Sequence, residues 1–116
     1  MDTSKEYIKM CDCEIQDGWE PLIGDFSYLS ELNDVSINCG YNREVSCGET
    51  WLPRQDQLQA MSGYTWVEFD TLCLATAGRY GISAILTSLE TKEQAGIIVV
   101  MLEKYGKVWN GEDWRV

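Results

Sequence analysis

Apolar side chains recur along this chain in two rhythms, and the rhythms predict its elements. Tyr7, Ile8, Cys11 and Ile15 fall at helical spacing. Thr3 stands three residues before Glu6, the capping-box pattern in which a hydroxyl and a carboxylate satisfy the orphan amides of a first turn. A helix from about Ser4 to Glu14 is predicted. Asp17-Gly18 is a turn signal and Pro21 lacks an amide donor, so the helix ends before Trp19. From Asp25 to Cys39 the period becomes two: Phe26 and Tyr28, then, beyond Asn33-Asp34, Val35, Ile37 and Cys39. This predicts a hairpin with those side chains inward and the intervening polar ones outward. Val45 to Cys47 adds a third short strand to the expectation.

The helical rhythm then returns. Pro53 is placed in the first turn of a second helix, whose good helix formers run to Gly63. Thr65 and Glu68 repeat the capping box, and Trp66, Phe69, Cys73 and Ala77 share one face of a third helix that Gly78 and Gly81 weaken at its end. Ile82 to Leu86 reads as a connector or a brief strand. Thr87 and Glu90 form another capping box, opening a segment with Ala95, Ile98, Val99, Leu102 and Tyr105 on one face and Gly106 at the left-handed stop. Ile97, Val100 and Met101 lie off that stripe, so the helix must bury a second face in the sheet or in a neighbouring subunit. The tail, Lys107 to Val116, carries an Asn110-Gly111 turn between Trp109 and Trp114. The expectation is an α+β fold: a small antiparallel β-sheet of two to three strands packed with three to four helices. It forms a single domain, 1–116, with the tail 107–116 packed back on it.

Composition narrows the picture. With 116 residues, 45% hydrophobic and 11% aromatic, there is material for one core. The longest apolar stretch, Ala95 to Leu102, is less than half of the roughly 20 residues that a membrane span requires. Met1 to Asp12 interleaves Lys5, Glu6 and Lys9 without the apolar run of a secretory signal, so an intracellular chain is expected, with Cys11, Cys13, Cys39, Cys47 and Cys73 as reduced thiols. Lys and Arg total 9 against 19 Asp and Glu, a formal charge of −10, which opposes binding to nucleic acid or an anionic membrane. Between Met10 and Asn42 stand Asp12, Glu14, Asp17, Glu20, Asp25, Glu31 and Asp34 with no lysine or arginine. Such a block is a solvated face, or an acidic surface that docks on a basic groove. Asp12, Glu14, Asp17 and Glu20 are the candidate interaction residues on it.

No histidine is present, which removes the usual general base near neutral pH and the commonest metal ligand. No catalytic, metal-binding or cofactor-binding residue is therefore assigned. Cys11, Cys13, Cys39 and Cys47 lack the spacing of paired zinc knuckles. In the Asp12–Gly18 run, glycine is displaced from the position a calcium loop needs. Neither form of glycine-rich phosphate loop occurs. Capture of a small nucleotide would require a pocket lined by some of Arg43, Arg54, Arg79 and Arg115. Of the five tryptophans, Trp51 and Trp66 are expected in the core, whereas Trp109 and Trp114 either clamp the tail onto the domain or anchor a partner.

The runs Trp51-Leu52-Pro53-Arg54-Gln55-Asp56-Gln57-Leu58-Gln59 and Glu103-Lys104-Tyr105-Gly106-Lys107-Val108-Trp109-Asn110-Gly111-Glu112-Asp113-Trp114 resemble small proteins encoded by bacteriophages and prophages of Gram-positive bacteria. The resemblance implies a viral or prophage origin and a life in the host cytoplasm, and it brings no catalytic residues. The expectation is a non-enzymatic accessory binding protein, an inhibitor that docks its acidic surface on a host defence factor or sequesters a small signalling molecule. A homo-oligomeric assembly protein and a small carboxylate-dependent enzyme are the alternatives.

Overall fold

The computed structural model describes residues 1–40, 44–82 and 91–116, apart from the side chains of 77–82. Among the described residues the fold is α+β: four α-helices, a three-stranded antiparallel sheet and a two-strand hairpin. They fall into two compact units, Met1–Arg54 and Gln55–Val116. No helix among the described residues is long and apolar enough to cross a membrane.

The first unit opens with α1 (Lys5–Cys11). Its cap is Ser4, whose hydroxyl accepts the Tyr7 N–H at 3.2 Å, one residue beyond the predicted Thr3. Asp2 explains the shift: its carboxylate accepts the Ser4 N–H at 2.8 Å, the service expected of Glu6. The α-helix stops at Cys11, short of Glu14, and Glu14–Gln16 form a separate 3-10 turn. Tyr7, Met10, Cys11 and Ile15 are buried, and the Tyr7 hydroxyl donates to the Pro53 carbonyl at 2.6 Å.

The predicted hairpin is present as β1 (Phe26–Leu29) and β2 (Asp34–Ile37), with Phe26 opposite Ile37. Asn33 turns the chain at a φ of 49°, the left-handed region that asparagine tolerates better than most residues. The third strand is β3 (Glu49–Leu52), paired on the other side of β1, and not Val45 to Cys47, which lie in the connection before it. Nor is the inward set the predicted one. Ile37 and Cys39 are exposed, while Ser27 is buried and donates to the Glu49 carboxylate at 2.6 Å. The Ser46 N–H donates to the second Glu49 oxygen at 3.0 Å. A satisfied polar pair between β1 and β3 thus takes an interior place that strict alternation would give to apolar groups.

The second unit comprises α2 (Gln55–Ser62), α3 (Trp66–Ile82), α4 (Lys92–Tyr105), β4 (Val108–Trp109) and β5 (Trp114–Arg115). Pro53 precedes α2 and lies outside it. The box at the head of α3 forms as expected: the Thr65 N–H reaches the Glu68 carboxylate at 3.1 Å and the Glu68 N–H reaches the Thr65 hydroxyl at 3.3 Å. That Thr65 N–H bond holds the Glu68 carboxyl below its ordinary value. Phe69 and Cys73 are buried as predicted, but Trp66 is 69% exposed and belongs to the surface. Helix α3 continues through Gly78 and Gly81 to Ile82. Past Ile82, the expected connector and the Thr87–Glu90 box fall outside the described residues.

Thr91 caps α4, accepting the Gln94 N–H at 3.3 Å, and Gly106 ends it at φ 65° and ψ 28°. In that left-handed conformation the Gly106 N–H closes on the carbonyls of Leu102 and Met101. Every residue from Glu93 to Met101 is buried. Ile97, Val100 and Met101 are therefore covered within the chain, and the second apolar face that argued for self-association is not a free surface. Helix α4 packs on α2 and α3, and the contact is close at Gly96. A Cβ there would lie 2.9 Å from the Phe69 ring and 3.1 Å from a Leu58 methyl. The tail forms the β4–β5 hairpin, and β4 contacts α4. The Asn110 side-chain oxygen accepts the N–H groups of Glu112 and Asp113, and Trp109 lies opposite Trp114 with ring centroids 5.1 Å apart.

Candidate functional site

The link from α1 to β1, residues 12–25, holds the acidic quartet. Asp12, Asp17 and Glu20 are exposed and Glu14 is half-buried. A loop of this length is ordinarily mobile, but two side chains tie this one down. Gln16 spans from the loop to β3: its amide nitrogen donates to the Cys11 and Trp51 carbonyls at 2.8 and 2.9 Å, and its oxygen accepts the Trp51 N–H at 2.7 Å. Asp25 is 2% exposed, and one carboxylate oxygen accepts the Trp19 indole N–H at 3.0 Å and the Leu22 N–H at 2.9 Å. The other lies 3.6 Å from the Arg54 guanidinium, which also donates to the Gly24 carbonyl at 2.8 Å. Trp19 stacks on Trp51, rings nearly parallel at 7° with centroids 5.8 Å apart.

Between those anchors the chain turns outward. Leu22 is 63% and Ile23 48% exposed, directly after the buried Pro21. Sequence reasoning singled out the acids and passed over this pair; its one signal was two large apolar residues with no periodic partner on either side. An apolar tip flanked by carboxylates on an anchored loop can enter a pocket on another protein while the acids meet basic groups around its rim.

No family model, curated protein or solved structure matches this chain.

The remaining predicted positions are placed as follows. Trp109 is buried and Trp114 half-buried against it, so this pair fastens the hairpin and does not stand free as an anchor. Both belong to the second unit, the acidic quartet to the first. Asp12, Glu14 and Asp17 line neither of two open clefts, one around Tyr28 and Asp34 and one around Trp66. Among the described residues no three His, Cys, Asp or Glu side chains come together as a metal cluster would require. Of the arginines named for a nucleotide pocket, Arg54 is bound into the loop anchor and Arg115 bonds Asp113 at 2.8 Å. Arg43 and the Arg79 side chain lie outside the described residues.

The cysteines divide by burial. Cys39 and Cys47 are exposed, Cys13 is half-buried, and Cys11 and Cys73 are buried. Burial pushes the Cys11 thiol well up and the Cys73 thiol to about 11. A thiol at 11 carries about a hundredfold less thiolate at neutral pH than one at 9. Iodoacetamide at pH 7.5 is therefore expected to modify Cys39 and Cys47 first, with Cys11 and Cys73 modified only on unfolding. Peptide mapping over a time course checks this order, and early labelling of Cys73 would contradict its placement.

Proposed function

We propose that this chain is a non-enzymatic binding protein that docks the loop at residues 12–24 onto a basic protein surface containing an apolar socket. The observation that carries the reading is the exposure of Leu22 and Ile23 on a loop held by Gln16 and Asp25 and flanked by Asp12, Asp17 and Glu20. An anchored loop loses little conformational entropy on binding. Burying the half to two thirds of Leu22 and Ile23 still exposed contributes roughly 1–1.5 kcal/mol each, which makes the apolar pair the main source of affinity. The acids act chiefly on encounter rate and partner choice. The resemblance of the Trp51–Gln59 and Glu103–Trp114 runs to phage and prophage proteins supports a host protein, such as a defence factor, as the partner, and the bacterial cytoplasm as the setting.

The test compares three immobilised proteins on host lysate: the natural sequence, Leu22→Ser with Ile23→Ser, and Asp12→Asn with Asp17→Asn and Glu20→Gln. A basic protein is expected to be retained by the natural sequence at low salt and released at high salt. The apolar double variant should lose it at any salt, and the acid triple variant should bind it more slowly. Unchanged retention by both variants, each with an unaltered unfolding midpoint, would remove the loop from consideration.

A further inference from the structure

Helices α2, α3 and α4 meet around an open cleft of about 370 Å³ that lies within the second unit. Gln55, Asp56 and Gln59 come to it from α2, Trp66 and Asp70 from α3, and Lys92 from α4. None of these residues serves the docking loop. Trp66 is the first residue of α3 and is largely exposed, so much of its indole is open to a ligand in the cleft.

The two glutamine amides, one turn apart on α2, are fixed in orientation by their partners. The Gln55 nitrogen donates to the Glu93 carboxylate at 3.0 Å, and the Gln59 nitrogen donates to the Tyr64 carbonyl at 2.6 Å. Both partners can only accept, so each amide keeps its oxygen as the group it can offer. Lys92 pairs with Asp70, so the ammonium on the lining is already met by a carboxylate.

Charge decides what such a cleft selects. Asp56 and Asp70 line it, and two further carboxylates stand beside it: Glu93 as the partner of Gln55, and Glu68 two residues beyond Trp66. Against these four the lining sets Lys92, which leaves a net charge of −3. An anion is repelled, and a cation is drawn in by a field that salt weakens. The indole narrows the choice, since a cation laid over the ring meets its negative face. The amide oxygens narrow it again. A quaternary ammonium has no N–H to give them and a primary ammonium is a compact, strongly hydrated charge, whereas a guanidinium is flat, weakly hydrated and carries its donors around its edge. We propose that the cleft binds a guanidinium group, laid flat on Trp66 with its edge donating to the amide oxygens of Gln55 and Gln59 and to the Asp56 carboxylate. The volume stands at the low end of small-ligand sites, which begin at about 300 Å³, and takes the guanidinium together with the alkyl chain that carries it.

The chain's five tryptophans give five indole N–H resonances, and Trp66→Phe identifies the one that belongs to Trp66. The full chain is titrated with N-butylguanidinium and N-butylammonium, which share one positive charge and one alkyl chain, and separately with glucose and inorganic phosphate. A saturable shift of the Trp66 signal is expected with the guanidinium, bound about threefold or more tighter than the ammonium, and with neither glucose nor phosphate. Agmatine and N-acetylarginine amide carry the same head, and the tighter of the two tells a free small molecule from an arginine side chain of a peptide. In Trp66→Leu the Asp70 and Lys92 amides should report guanidinium binding about three- to fivefold weaker, the scale of a cation–π contact at an exposed site. Asp56→Asn should weaken it about as much, and so should raising the salt. No Trp66 shift with the guanidinium would overturn the site. Equal binding of the ammonium, or guanidinium binding unchanged in both variants, would overturn the assignment of the ligand.

Discussion

Replacing Asp25 by alanine is expected to lower the unfolding free energy by about 3 kcal/mol, the scale of breaking a buried charged network. The side chain is almost wholly buried and serves three donors: the Trp19 indole, the Leu22 amide and the Arg54 guanidinium. Alanine takes the acceptor from the first two, whose bonds are partly buried, and an unmet buried donor costs about 1–3 kcal/mol. Arg54 is about a third exposed and recovers water, which keeps the total near the lower end of the range. Asp25→Asn separates the two contributions, because its amide oxygen can still accept from Trp19 and Leu22 while the ion pair is gone. It should lose about half as much. Urea titration followed by tryptophan fluorescence measures both, and an Asp25→Ala protein within 1 kcal/mol of the natural one would mean that the loop is anchored elsewhere.

The second large effect lies in the other unit. Gly96 is where α4 comes close to Phe69 and Leu58, at 2.9 and 3.1 Å from the position of a Cβ. Leucine at this position has to displace an aromatic ring and a buried methyl at once, and overpacking of that kind costs about 3 kcal/mol or more. Alanine is a milder case. It removes the helix penalty of glycine, about 1 kcal/mol, against a displacement of Phe69 by a few tenths of an ångström. Gly96→Ala is expected within about 1 kcal/mol of the natural protein, and Gly96→Leu well below both. Equal stability of the two variants in urea would show that α4 has room to move away.

Local chemistry made much of this fold legible. The Thr65–Glu68 box, the Gly106 stop and the Asn110-Gly111 turn are written within four residues of where they act, and the structure has all three. Strand β3 was missed because Glu49–Leu52 is defined by its partner β1, more than 20 residues earlier, and because Pro53 suggested the start of a helix. Trp66 was misplaced for a related reason. Helical spacing put it on the face of Phe69 and Cys73, but as the first residue of α3 it has no preceding turn to cover it. The interior polar groups, Ser27, Glu49 and Asp25, carry no periodic signal, since Ser27 and Glu49 pair across strands and Asp25 pairs with Arg54, far along the chain.

The candidate loop was half visible. Its charge could be counted along the chain, whereas its anchoring depends on Gln16 reaching a residue 35 positions away. Nothing in composition distinguishes a glutamine that braces a strand from one that faces water. The exposure of Leu22 and Ile23 follows from that bracing, and so became apparent only with it.

The same glutamine has a second consequence. By pairing with both the N–H and the carbonyl of Trp51, its amide occupies the outer margin of β3 as a neighbouring strand would. At the opposite margin of the sheet, the Asp34 carboxylate accepts the N–H of Val35 at 2.8 Å. Each border is thus partly filled by a side chain of the protein itself, and the β2 border is short and opens on an exposed acid. Stray chains seeking a template for fibril growth find little to zip onto at either margin.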